Sequence, residues 1–197
     1  TVLKSTFGVQ AADLCKSLTP PGEEFGPNTL RGLFFGDFLD PEAASPTYSE
    51  ISDLNALSAS VNAYLEEYNS MTRNKMDLVM FQFAIEHLTR IIRVIKMPGG
   101  NYLLVVVGGS GRQSLTRLAA SIADYDLFQI EISKTYGQTE WREDIKKVLR
   151  GAGHSSKQMV FLFSDAQIKN EGFVEDINNI LNSGEVPNIF PPDEKGE

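Results

Sequence analysis

The chain has 197 residues, 42% of them hydrophobic and 22% charged, enough for one sizeable core and ordinary for a folded globular unit. A formal net charge of -8 argues against generic attraction to nucleic acid or to an anionic membrane, and neither is expected as a partner. Cys15 is the only cysteine, which excludes an internal disulfide and a multi-cysteine zinc site and favours a reducing setting.

Residues 1–50 read as an irregular leader. VQAADLCKSL (9–18) has the look of a short helix, TPPGEEFGPN (19–28) and DPEAASPTYS (40–49) are loop-like in their Pro, Gly and acidic content, and the apolar LRGLFFGDFL between them must be covered by something. From Ser52 a helical period takes hold, with Leu54, Leu57, Val61, Tyr64, Leu65 and Tyr68 spaced by threes and fours. A second helix is expected after Asp77 as N-cap, with Phe81, Ala84, Ile85, Leu88, Ile91, Ile92 and Ile95 on its buried side. Arg90, Arg93 and Lys96 in its last turns suit the negative end of the helix dipole, and MPGG ends it. These helices occupy 52–97. No apolar run approaches the ~20 residues of a membrane span.

After Gly100 the pattern alternates. Strand one is expected over 102–107, a helix over 113–124, strand two over 127–132 (LFQIEI), a helix over 139–150 closed by Gly151, strand three over 159–164 (MVFLFS), and a last helix over 172–183 stopped by Gly184. EVPNIFPPDE then runs out as loop. Near-continuous apolar strands separated by helices imply a parallel sheet flanked by helices, an α/β core over 100–197. His87 and His154 lie far apart in sequence and read as surface or half-buried residues rather than as metal ligands.

The chemistry is concentrated in YLLVVVGGSGRQSLTRL, 102–118. A β-branched run stops at Gly108, Gly109, Ser110 and Gly111 and a helix starts at once, which is how a phosphate-binding loop is written: successive backbone N–H groups converge on the anion, and small residues let it come close. A tight strand-to-helix turn with no ligand reads from the same letters. Three positions depart from the full pattern, since Val106 stands where its first glycine belongs, Arg112 where lysine belongs and Gln113 where the magnesium-binding hydroxyl belongs. Arg112 keeps the charge as a planar fork, Gln113 offers only an amide oxygen, and Ser114 has a hydroxyl one residue late. Strand three ends in Asp165, the one carboxylate at that strand end, preceded by Ser164. It is a candidate magnesium and water-polarising residue, or simply the cap of the next turn.

GGSGRQSLTRLAASIADY, FQIEISKTYGQTEWREDIKKVLR and VFLFSDAQIKNEGFVEDINNILNSGEVPNIF resemble the fourth AAA+ module of axonemal dynein heavy chains, and the similarity extends back through YLEEYNSMTRNKMDLVMFQFAIEHLTRIIRVIK to LFFGDFLDP. The resemblance implies a P-loop AAA+ fold preceded by two helices, with strands in the order 5-1-4-3-2. The partners of strand one would then lie beyond Glu197, leaving the sheet of this chain incomplete, and the chain reads as a piece of something larger. It also implies a module that binds ATP or ADP, with or without magnesium, in a microtubule motor of the ciliary or flagellar axoneme, regulatory and with weak or absent hydrolysis. The power-stroke site lies in another module.

By the same resemblance the family's magnesium-binding acid falls at Ser164 and its catalytic glutamate at Asp165, while Leu78 and Val79 lie near the adenine. The expected phosphate contacts are Gly108, Gly109, Ser110, Gly111, Arg112, Gln113 and Ser114, and the magnesium ligands Asp165 and Gln113. The implied partners are neighbouring AAA+ modules of the same heavy chain, with microtubules reached only through other parts of it. The other reading is a structural ring segment with a degenerate pocket.

Overall fold

The computed structural model describes residues 21–22, 33–40, 46–105, 111–154, 156–192 and 194. Among these the order is β1 (Phe34–Gly36), β2 (Ser49–Ile51), α1 (Leu54–Met71), α2 (Gln82–Lys96), α3 (Arg112–Ile122), β3 (Asp126–Gln129), α4 (Gln138–His154), β4 (Met159–Leu162), a 3-10 turn at Asp165–Gln167 and α5 (Glu171–Ser183). It is a mixed α/β fold, as a P-loop AAA+ core requires. β3 and β4 pair in parallel, Asp126 opposite Met159 through Gln129 opposite Leu162, with α4 in the crossover between them.

Within the segment read as an irregular leader, β1 and β2 pair antiparallel, Phe34 opposite Ile51 and Gly36 opposite Ser49. The pairing turns Phe34 and Ile51 into the core and is followed by Phe38, also buried. The apolar run around 34–38 is thus covered by α1 and α2, in the same cluster as Leu57, Val61 and Leu88.

Helix α1 starts where Asp53 Oδ1 accepts from the Asn55 and Ala56 amides at 2.9 and 3.0 Å, satisfying two of the first-turn donors. Helix α2 does not start after Asp77. Residues 75–81 carry no regular secondary structure, the Phe81 amide donates to the Val79 carbonyl at 3.1 Å in a tight turn, and the helix begins at Gln82 with Phe81 as N-cap. The segment is tethered near its start by Asn69, whose side chain donates to the Met76 carbonyl at 2.9 Å and accepts from the Met76 amide at 2.7 Å. Phe81, expected on the buried face, is therefore exposed, and α2 buries Ala84, Ile85, Leu88, Ile91 and Ile92.

The described part of strand one, 102–105, carries no ladder. Leu103 and Val105 are 85% and 81% exposed while Leu104 packs against the core, the alternation of an extended chain with one open face. A strand is defined by its partner, and β3 takes β4; no described strand lies beside 102–105. Gly151 does not close α4, which runs on to His154. Its missing Cβ leaves the place where the Met159 side chain packs, so this glycine serves helix-to-strand packing and not termination. The tail after α5 is not plain loop either: Val186 and Ile189 are buried beside Trp141 and Phe173.

Candidate functional site

The segment before α2 and the start of α3 line a common cavity of about 340 Å³, within the roughly 300–1,000 Å³ of small-ligand pockets. One wall is Leu78, Val79 and Met80; α2 adds Ala84, His87 and Ile91, Leu104 lies between, and Gly111, Arg112 and Leu115 close the far side. Most of this lining is apolar. The polar side chains on it, among the described residues, are Asp77, His87 and Arg112.

Gly111 is the N-cap of α3 and sits at φ 71° in the left-handed region, which a residue with a Cβ enters only at a cost. A Cβ there would lie 3.5 Å from Leu78 Cδ2, so the segment before α2 packs directly over this turn. No side chain among the described residues caps α3. The amides of a helix first turn together with the helix dipole favour an anion. Gly108, Gly109 and Ser110, and Val106 before them, lie outside the described residues.

The structure separates the remaining candidates from this cavity. Gln113 Oε1 accepts from Gln129 Nε2 at 3.4 Å, and Gln129 Oε1 accepts from Arg117 at 2.5 Å, a polar chain that ties α3 to the end of β3. Ser114 is half-buried on the first turn of α3. Asp165 is exposed and opens the 3-10 turn after β4. Ser164 precedes it and donates from both its amide and its hydroxyl to Gln167 Oε1, at 2.7 and 3.1 Å. Gln167, buried, then donates to the Ile130 carbonyl at 2.5 Å. One amide side chain therefore aligns the C-terminal ends of β3 and β4, and with them Asp165.

Sequence reading missed Gln129 and Gln167. The second left a signal, because Ser-x-x-Gln at 164–167 is the spacing of a capping box. Among the described residues no group of three His, Cys, Asp or Glu side chains comes together as a metal cage, and no helix is long and apolar enough to cross a membrane.

Comparison with known proteins decides the family. The P-loop containing dynein motor region D4 matches residues 76–197. The chain belongs to this dynein motor family. It is 53% identical over 180 residues to dynein axonemal heavy chain 3 of Mus musculus, covering 91% of this chain and 4% of that protein. To dynein axonemal heavy chain 2 of Homo sapiens it is 50% identical over 194 residues, 98% of this chain and 4% of the relative. Heavy chain 1 of Rattus norvegicus is 48% identical over 165 residues, 84% of this chain and 4% of its own length. The chain thus spans about 4% of the length of these curated relatives. The family match covers the whole α2-to-α5 region, so the mixed α/β fold is that of a P-loop AAA+ motor region.

Proposed function

We propose that this chain forms part of an AAA+ module that holds ATP or ADP within an axonemal dynein heavy chain of cilia or flagella, and that the bound nucleotide is regulatory. The observation that carries the proposal is the cavity itself, whose lining brings Leu78 and Val79 together with Gly111 and Arg112. The α3 amides and the Arg112 guanidinium take the phosphates, with Gly108, Gly109 and Ser110 completing the loop, and the apolar wall takes the base.

The donors proposed for magnesium, among the described residues, are Asp165, which does not line the cavity, and the Gln113 amide oxygen, which already accepts from Gln129; the carboxylate on the lining is Asp77. Magnesium, when bound, would be held by Asp165 and the Gln113 amide oxygen and would supply charge neutralisation, and it prefers carboxylate and water oxygens. This supports a site that retains nucleotide better than it hydrolyses it. Neighbouring AAA+ modules of the same heavy chain are the proposed partners. Microtubules are reached through other parts of that protein, because a chain of net charge -8 is repelled by an acidic lattice.

The test is calorimetric titration of ADP into the full-length heavy chain and its Arg112→Ala and Asp165→Asn variants, with and without magnesium. Arg112→Ala should weaken one class of site by ~1.5 to 3 kcal/mol, the scale of a charge-assisted hydrogen bond. Asp165→Asn should leave that affinity nearly unchanged and remove any turnover at the site. If no class of site responds to Arg112→Ala, the phosphate assignment fails and the chain is a structural ring segment.

A further inference from the structure

Within the proposed nucleotide cavity one residue has a polar edge with nothing assigned to it. His87 lies on the inner face of α2, half-buried, and lines the cavity between Ala84 and Ile91. Its ring packs against Phe83 in a T-shaped pair with centroids 4.4 Å apart, which orients the imidazole in the cavity wall. Among the described residues neither ring nitrogen makes a hydrogen bond; the contact with Phe83 is the interaction this side chain has. A neutral imidazole carries one donor and one acceptor, and among the described residues both are available to a ligand in the cavity.

The position of that edge narrows what it can meet. Arg112 and the start of α3 form the anion-favouring side of the cavity, and Leu78, Val79 and Met80 form the apolar side with α2. A ligand with phosphates at α3 and a flat apolar body against 78–80 brings the rim of that body, and not its phosphates, toward α2. A purine rim carries ring nitrogens and an exocyclic substituent, the donor and acceptor types that imidazole complements.

Resting on the nucleotide reading above, we infer that His87 is the base-reading residue of this site, hydrogen-bonding the edge of the purine and so setting preference among bases. Of the other polar side chains on the lining, Arg112 belongs to the phosphate side, and Asp77 stands before Leu78 and Val79 and can only accept hydrogen bonds as a carboxylate, whereas His87 can donate and accept. A site built to hydrogen-bond one edge rejects analogues that lack the matching atom, because its own group is then left without a partner.

The experiment uses the full-length heavy chain and the class of ADP site that responds to Arg112→Ala. Affinities for ADP, for 7-deaza-ADP, which lacks the N7 acceptor, and for purine riboside diphosphate, which lacks the 6-amino group, are measured in wild type, His87→Phe and His87→Gln. His87→Phe keeps a ring against Phe83 and removes both nitrogens; His87→Gln keeps a donor and an acceptor. ADP should bind roughly tenfold more weakly to His87→Phe, the scale of one hydrogen bond, and recover most of that in His87→Gln. The analogue missing the contacted atom should bind wild type and His87→Phe alike.

Equal losses for all three ligands, or no loss for any, would overturn the assignment while leaving the nucleotide reading intact. Failure of His87→Gln to recover ADP binding would also count against it, and unchanged melting of both variants excludes misfolding as the cause. Absence of any Arg112-sensitive site in wild type would sink the nucleotide reading and this inference with it.

Discussion

Around α1, α2 and α3 the core is mainly aliphatic, built on Leu57, Val61, Leu88, Ile91 and Leu118, whereas around β3, β4, α4 and α5 it is aromatic and pinned by polar tethers. In the second region Trp141 stacks on Phe173 with ring centroids 4.3 Å apart, and its Nε1 donates to Asp176 Oδ2 at 2.7 Å. Tyr136 packs edge-on against the same Phe173, and its hydroxyl donates to Asp144 Oδ2 at 2.8 Å. Aliphatic contacts are non-directional and tolerate small shifts, while a buried indole or phenol must keep its hydrogen bond wherever it moves. The cavity opens at the margin of the aliphatic region, so the part of the molecule that would receive a ligand is the part with the fewer directional constraints. Helix α3 belongs to both: it buries Leu115 and Leu118 in the first core and also packs against the two strands.

That contrast can be broken most severely at Trp141. Trp141→Ala removes a fully buried ring, its stack on Phe173 and the partner of Asp176, and a loss of about 3 to 5 kcal/mol is expected. Leu88→Ala, equally buried in the aliphatic region, should cost about 2 to 5 kcal/mol, toward the lower end if those helices can close on the space. Hydrogen exchange in the full-length chain would read both. Protection should fall across 138–154 and 171–183 for the first substitution, and across 54–71 and 82–96 for the second. Loss of both sets together from either change would show one cooperative core and erase the distinction.

A smaller and pH-dependent effect should belong to Tyr136. Burial, followed by its hydrogen bond to the Asp144 carboxylate, pushes this phenol well above the ordinary tyrosine value. A group whose pKa is raised by folding contributes stability that is fully present below its unfolded value and is lost as pH rises toward the folded one. The aromatic region should therefore loosen above about pH 10, the unfolded phenol value. Tyr136→Phe should cost about 1 kcal/mol near neutral pH and remove most of that alkaline sensitivity. Tyr64, on the aliphatic side, is also raised, first by burial and then by Glu67, Asp37 and Asp40. The comparison is sharpened if exchange at high pH frees 138–154 before 54–71.

The smallest expected effect is at Lys96, whose ammonium lies 2.8 and 2.9 Å from the two Asp37 carboxylate oxygens and ties the end of α2 to the residue after β1. Both side chains remain partly exposed, so Lys96→Met should cost only about 0.2 to 1 kcal/mol and less at high salt. A loss several times larger, read as exposure of Phe34 and Phe38, would mean that the hairpin depends on this pair more than on its apolar burial.

Sequence alone determined what rests on neighbours along the chain. The threes and fours of Leu54, Leu57, Val61 and Leu65 make α1, Asp53 caps it through amides two and three residues on, and α5 stops at Gly184 in the left-handed conformation. The family was legible in the wording of the chain, because long stretches are shared with dynein heavy chains. Only the tertiary structure decided what depends on residues far apart. Asp77 has the chemistry of an N-cap, but Asn69 clamps Met76 just before it and the helix starts only at Gln82. Residues 102–105 have the composition of a strand, but a ladder needs a neighbour, which composition does not supply. Gly151 resembles a helix stop until Met159 packs over it. The meeting of Leu78 with Gly111, and of His87 with the cavity between them, is a matter of how α2 lies against α3, because side-chain packing between helices is set by shape in three dimensions and leaves no period in the sequence.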